Sequence, residues 1–204
     1  YFVLTEAGYE IDFVSPKGGK APMDEKSRDL TDAQCREFVE TPALIGNLDN
    51  TMSPSQVQPR NYDIIFFAGG HGTMWDFPEN EELAKIAATV YERGGIIAAV
   101  CHGPAALLNI KLSNDKYLLK GKTVTSYTNE EESISESSEV VPFALETALI
   151  KRGAKFTETI EFKPHVVVSE RLITGQNPAS AAEVARAILR LTEKLEDPEL
   201  QVSK

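Results

Sequence analysis

The run "GGIIAAVCHGPAALL" sets a thiol, Cys101, directly beside an imidazole, His102, at the point where an apolar segment stops. A thiol attacks only as its thiolate, and an imidazole within hydrogen-bond reach is the side chain best suited to take its proton near neutral pH. Two other stretches could complete such a site. Gly69-Gly70-His71-Gly72-Thr73 offers backbone amides unobstructed by side chains, a means of holding a developing oxyanion. Asn129-Glu130-Glu131-Glu132 offers carboxylates, one of which could orient His102 while the others form a solvated helix start favoured by the helix dipole. The chemistry implied is covalent catalysis by cysteine. Each stretch also has a plainer reading. Cys101 could be a small buried hydrophobe, His102 a local backbone cap and the glycine loop a tight turn. A phosphate cradle fits poorly, because the loop lacks both a P-loop lysine and the G-x-G-x-x-G spacing.

These residues need elements that converge on them, and the sequence predicts such elements. Nearly continuous apolar runs at 63–68 and 95–100 read as parallel strands covered on both faces. Further strands are expected at 10–14, 123–127, and 166–169 followed by 172–175. Amphipathic stretches lie between them: "NEELAKIAATVYERGG" with its glycine stop, "VPFALETALIKRGA", and "SAAEVARAILRLTEKL" after the start signal at Pro178. Strand–helix alternation of this kind predicts an α/β fold, a flavodoxin-like three-layer α/β/α sandwich with a mainly parallel sheet. In such sheets ligands collect beyond the carboxyl ends of strands, where the three motifs fall. There Cys101 would occupy a strand–turn–helix elbow, with Gly103 allowing close backbone approach and Pro104 at an early helical position. The amides of the helix start would lower the thiol pKa. Residues 17–60 break the alternation and read as an insertion or lid, and 195–204 as a polar, frayed tail. One domain spanning 1–204 is the simplest organisation. The chain opens on a helix closed by Gly8, so a further strand upstream of Tyr1 is expected.

Composition excludes several classes. With Lys+Arg 21 against Asp+Glu 31, net charge −10, no basic stripe is available to neutralise nucleic-acid phosphates. No apolar run approaches the roughly 20 residues of a membrane span. Two cysteines in unlike settings, Cys35 and Cys101, make no disulfide framework and read as reduced thiols of a cytoplasmic protein. Two scattered Cys and three His supply no evident metal-ligand cluster, so neither a metal nor an organic cofactor is expected. Cys35 and His165 are read as structural.

Together "AGYEIDFVSPKGG", "DIIFFAGGHGTMWDF", "AAVCHGPAAL", "GKTVTSYTNEEE" and "TGQNPAS" resemble the ThiJ/PfpI superfamily. The likeness is to its class I glutamine-amidotransferase-like branch of heat-shock chaperones and glyoxalase III enzymes. That resemblance implies a homodimer, a Cys101–His102 pair at the elbow, and Glu132 as the acid that orients the histidine. It places Gly69, Gly70, His71, Gly103 and Asn177 around the oxyanion and substrate. The family also carries a glutamate after its first strand, a position upstream of Tyr1; Glu6, within the first helix, does not take that role. The activity implied is glutathione-independent conversion of methylglyoxal-type dicarbonyls to 2-hydroxy acids without a cofactor, alongside stress-chaperone or protein deglycase activity on unfolded or glycated proteins. Two other readings use the same residues: a cysteine peptidase or amidotransferase-like hydrolase, and a non-enzymatic chaperone that senses oxidation at Cys101.

Overall fold

A computed structural model describes residues 1–24 and 30–197 as two compact units, Tyr1–Gln58 and a larger one from Pro59 onward. Part of the expected lid, 25–29, and most of the expected tail, 198–204, lie outside the described residues.

The first unit opens with α1 (Phe2–Glu6), which Gly8 closes in the left-handed region at φ 88°. Asp32 caps α2 (Ala33–Glu40) by accepting the Cys35 amide, and α3 (Pro42–Asp49) starts on proline. An aromatic cluster organises the unit: the Tyr1 ring lies 5.3 Å from Phe2, 5.4 Å from Phe38 and 6.0 Å from Phe13. The strand expected at 10–14 does not form. Only Val14 makes a bridge, to Met52, because alternation supplies a face but not a hydrogen-bonding partner.

The second unit holds β1 (Ile64–Phe67), β2 (Ile96–Val100), β3 (Thr123–Val124), β4 (Lys155–Phe156), β5 (Val166–Ser169) and β6 (Leu172–Gly175). Its main sheet runs β1-β2-β6-β5, parallel except for the β5–β6 hairpin, while β3 and β4 pair in parallel apart from it. All five residues of β2 are buried, which explains its unbroken apolar sequence. Ile97 and Ala99 join the core built with Ala87, Ala88 and Tyr91 of α5 (Glu81–Glu92). The alternate residues of β2 point the other way, where α8 (Ala181–Glu196) packs on β2 and β6. Val184, Ala185, Ala187 and Ile188 give α8 a helical stripe that is wholly buried. Each of its two branched side chains contributes about 1.5–3 kcal/mol by leaving water. The α/β class with a mainly parallel sheet is therefore as the sequence predicts.

The 123–127 strand is shorter than expected, for a specific reason. The Thr125 amide donates to the Thr174 hydroxyl and the Tyr127 amide to the Cys101 carbonyl, so neither continues a ladder. β4, following Gly153, carries too short an apolar signal to stand out in the sequence. The short helices α4 (Thr73–Asp76), α6 (Asn129–Ile134) and α7 (Leu145–Lys151) complete the unit.

Candidate active site

Beyond Val100 the chain turns sharply. Cys101 takes the left-handed conformation at φ 61°, costly for a residue with a Cβ. Two backbone hydrogen bonds hold it there: its amide donates to Gly175 O at 2.9 Å, and its carbonyl accepts from the Tyr127 amide at 2.9 Å. The segment after it, Gly103–Asn109, is 3-10 rather than α-helical, with Pro104 in its first turn. Two glycines let the end of β1 press against this turn. A Cβ on Gly103 would stand 2.3 Å from Phe67 O, and one on Gly69 would stand 2.7 Å from Cys101 Cβ. The side chain of Cys101 consequently lies under the glycine loop, where the backbone amides of Gly70 and His102 hydrogen-bond to its sulfur.

His102 is 1% exposed, with Nδ1 3.3 Å from Cys101 Sγ and Nε2 2.7 Å from Glu132 Oε2. The other carboxylate oxygen, Oε1, lies 2.9 Å from Nε2 of His71. Glu132 thus receives two imidazoles whose ring centroids are 4.3 Å apart, and the Tyr127 ring stands 4.6 Å from that of His102. Burial lowers the His102 pKa against the opposing pull of Glu132. A neutral His102 that donates Nε2–H to the carboxylate leaves Nδ1 as the acceptor facing the thiol.

The sulfur overturns one expectation. Desolvation pushes the Cys101 thiol up to about 12, outweighing the amides of Gly70 and His102 that pull it down. The resting group is a thiol. Cys35, by contrast, is exposed on α2.

Of the neighbouring glutamates, Glu130 is exposed, as a solvated helix start should be, but Glu131 is fully buried. Thr128 and Glu131 form a reciprocal capping box: the Thr128 hydroxyl accepts the Glu131 amide at 3.0 Å, and Glu131 Oε2 accepts the Thr128 amide at 3.1 Å. Glu131 Oε1 then accepts from the Phe162 amide at 2.7 Å, Asn177 Nδ2 at 2.8 Å and Gln176 Nε2 at 3.2 Å. Asn177, expected around the substrate, therefore belongs to this network instead. Its amide nitrogen serves Glu131 and Lys163 O, and its oxygen accepts from Ser180. The T-x-x-E spacing of Thr128 and Glu131 was the available sequence signal for the capping box; nothing marked Tyr127. His165 lies elsewhere, with Nε2 3.1 Å from the Thr157 hydroxyl.

The expectation that no metal-ligand cluster exists is corrected by the geometry. Nε2 of His71, Nε2 of His102 and a carboxylate oxygen of Glu132 lie within 4.8 Å of one another. His71, expected among the oxyanion and substrate groups, turns its imidazole to Glu132. No described helix is long and apolar enough to cross a membrane.

Comparison with known proteins agrees with this architecture. Residues 1–191 match the profile of the DJ-1/PfpI family. The chain is 32% identical to Glyoxalase 3 of Candida albicans over 92% of its own length and 83% of that protein. It is 34% identical to the glutathione-independent glyoxalase HSP31 of Saccharomyces cerevisiae, over 87% of the chain and 79% of that protein. The crystal structure of glyoxalase III from Candida albicans superposes with a TM-score of 0.87 at 31% identity, covering 93% of this chain and 83% of that one.

Proposed function

Since the chain belongs to the DJ-1/PfpI family, we propose that it is a glutathione-independent glyoxalase that isomerises and hydrates a small dicarbonyl such as methylglyoxal to a 2-hydroxy acid. The observation that carries this reading is the hydrogen-bonded series from Cys101 Sγ to His102 Nδ1, at 3.3 Å, and from His102 Nε2 to Glu132 Oε2, at 2.7 Å. His102 takes the thiol proton as the sulfur adds to the aldehyde carbon, and Glu132 balances the imidazolium charge. The amides of Gly70 and His102 support the new oxyanion, which receives the proton from His102 to give a hemithioacetal. Neutral again, His102 removes the proton from C1 and returns it to C2 through an enediol. The result is a thioester of the 2-hydroxy acid. Water cleaves it, restoring the Cys101 thiol, so the net reaction adds one water to the dicarbonyl. Charge develops and is quenched on groups already in place, which is where such sites lower barriers most.

A thiol only 7% exposed suits a three-carbon substrate better than a polypeptide, which favours this reading over the peptidase alternative. The test is to incubate the purified protein with methylglyoxal without glutathione and follow lactate by an enzymatic assay. Lactate from the wild type and none from Cys101→Ala is expected. Equal lactate from both would sink the proposal, as would a wild type that forms none.

A further inference from the structure

We propose that His71, His102 and Glu132 also form a binding site for a divalent transition-metal ion of the zinc type, and that the bound ion switches the nucleophile off. Binding stands on ligand geometry alone; the switch rests on the reading of Cys101 and His102 given above.

Two imidazole nitrogens and one carboxylate oxygen make the ligand set of zinc sites that keep a fourth position open. Nitrogen donors favour zinc, copper or nickel over magnesium and calcium, which prefer all-oxygen shells. At ordinary zinc–ligand lengths of about 2.0–2.2 Å, tetrahedral ligand atoms stand roughly 3.3 Å apart. The present contacts of 2.9 and 2.7 Å to Glu132 are tighter than that, so the carboxylate and the rings must part a little to admit the ion. The side chains of His102 and Glu132 are 1% and 9% exposed and held by their surroundings. The His71 side chain, at 36%, has room to turn and opens the site to solvent. An outer shell is also present. Nδ1 of His102 faces Cys101 Sγ at 3.3 Å, so the sulfur partners the far nitrogen of a ligand ring and is not itself a ligand.

The switch follows from where the protons go. Both rings now present Nε2 to Glu132, and a metal ion would occupy those lone pairs. His102 stays neutral by carrying its proton on Nδ1, exchanged through water, with no change in its ring charge. This aims an N–H at the sulfur. The imidazole then donates to Cys101 and cannot accept the thiol proton, so addition to the aldehyde loses its base. Removing the ion reverses the change, and no electron is transferred.

The experiment titrates chelator-treated full chain with Zn²⁺ by calorimetry and with Co²⁺ by visible absorption. One ion per chain is expected. His71→Ala and His71→Gln should both weaken binding at least about tenfold, while Cys101→Ser and His165→Ala bind within about threefold of wild type. The Co²⁺ complex should show tetrahedral bands without sulfur-to-cobalt charge transfer. Binding that survives both His71 variants overturns the ligand set, as does a charge-transfer band that Cys101→Ser abolishes. Should the His71 variants melt abnormally, the wild-type Co²⁺ spectrum decides alone. In the activity arm, stoichiometric Zn²⁺ should lower methylglyoxal turnover at least tenfold and chelation should restore it; full turnover with the site loaded overturns the switch. A protein with no turnover at all refutes the glyoxalase reading and leaves the binding arm to decide the site.

Discussion

Glu131 and Glu132 are adjacent in sequence and both buried, yet they should fail in opposite ways when neutralised. In Glu131→Gln one oxygen becomes an NH₂ group. If the remaining oxygen keeps its three donors from Phe162, Gln176 and Asn177, the NH₂ faces the Thr128 amide and the helix cap is lost. A lost cap costs about 1 kcal/mol. Replacing three charge-assisted hydrogen bonds by neutral ones adds a comparable or larger amount, for a total of about 2–4 kcal/mol. In a domain of this size that lowers Tm by roughly 5–15 °C. Turnover of the folded fraction, measured well below Tm, should stay within about tenfold of wild type. In Glu132→Gln the amide cannot accept from both His71 and His102. Where NH₂ faces Nε2 of His102, the ring must carry its proton on Nδ1, toward the sulfur, the wrong tautomer for a base. The same swap in a serine-nucleophile triad costs about 10⁴ in kcat. A fall of 10²–10⁴, about 3–5 kcal/mol of barrier, is expected here with Tm within a few degrees of wild type, while exposed Glu130→Gln should do neither. Differential scanning fluorimetry and methylglyoxal turnover on the three variants decide it. Should Glu131→Gln lose turnover at unchanged Tm, or Glu132→Gln lose only stability, the division of labour proposed here is wrong.

Gly103→Ala should lower Tm by about 6–12 °C, because its Cβ meets Phe67 O at 2.3 Å and overpacking against backbone costs about 3 kcal/mol; an unchanged melt would mean that β1 and the turn can separate freely. Gly69→Ala, whose Cβ would meet Cys101 Cβ at 2.7 Å, should cut kcat about 100-fold by displacing the nucleophile, and near-normal kcat would show that Cys101 need not be held there. In the native protein iodoacetamide should label exposed Cys35 well before buried Cys101, whose thiol is raised to about 12, with the difference vanishing in denaturant; mass spectrometry of tryptic peptides reads the order, and faster labelling of Cys101 would contradict its burial.

That order runs against the lowered Cys101 pKa expected from the sequence, and the reason separates what a sequence displays from what it conceals. The apolar run ending at Val100, the periodicity of α5 and α8 and the Cys-His-Gly-Pro turn are local patterns, and each marks a real element, although the segment after the turn winds as 3-10 rather than α-helix. The close backbone approach at Gly103 follows from the same local logic. What escaped depends on partners far along the chain. His71 meets Glu132 across 61 residues, and Asn177 meets Glu131 across 46. No periodicity marks such pairs, so two of three glutamates in one helical turn looked like solvated acids although one is wholly enclosed. The thiol pKa shows the limit most sharply. Local reasoning counts the amides at the turn and predicts a lowered value, whereas the fold adds a desolvation that no local pattern encodes, and desolvation is the larger effect. In the proposed reaction, a buried thiol that resists ionisation makes the imidazole beside it the necessary base. Chemistry at this site should therefore depend on the tautomer of His102, and thus on Glu132, more than on any intrinsic reactivity of the sulfur.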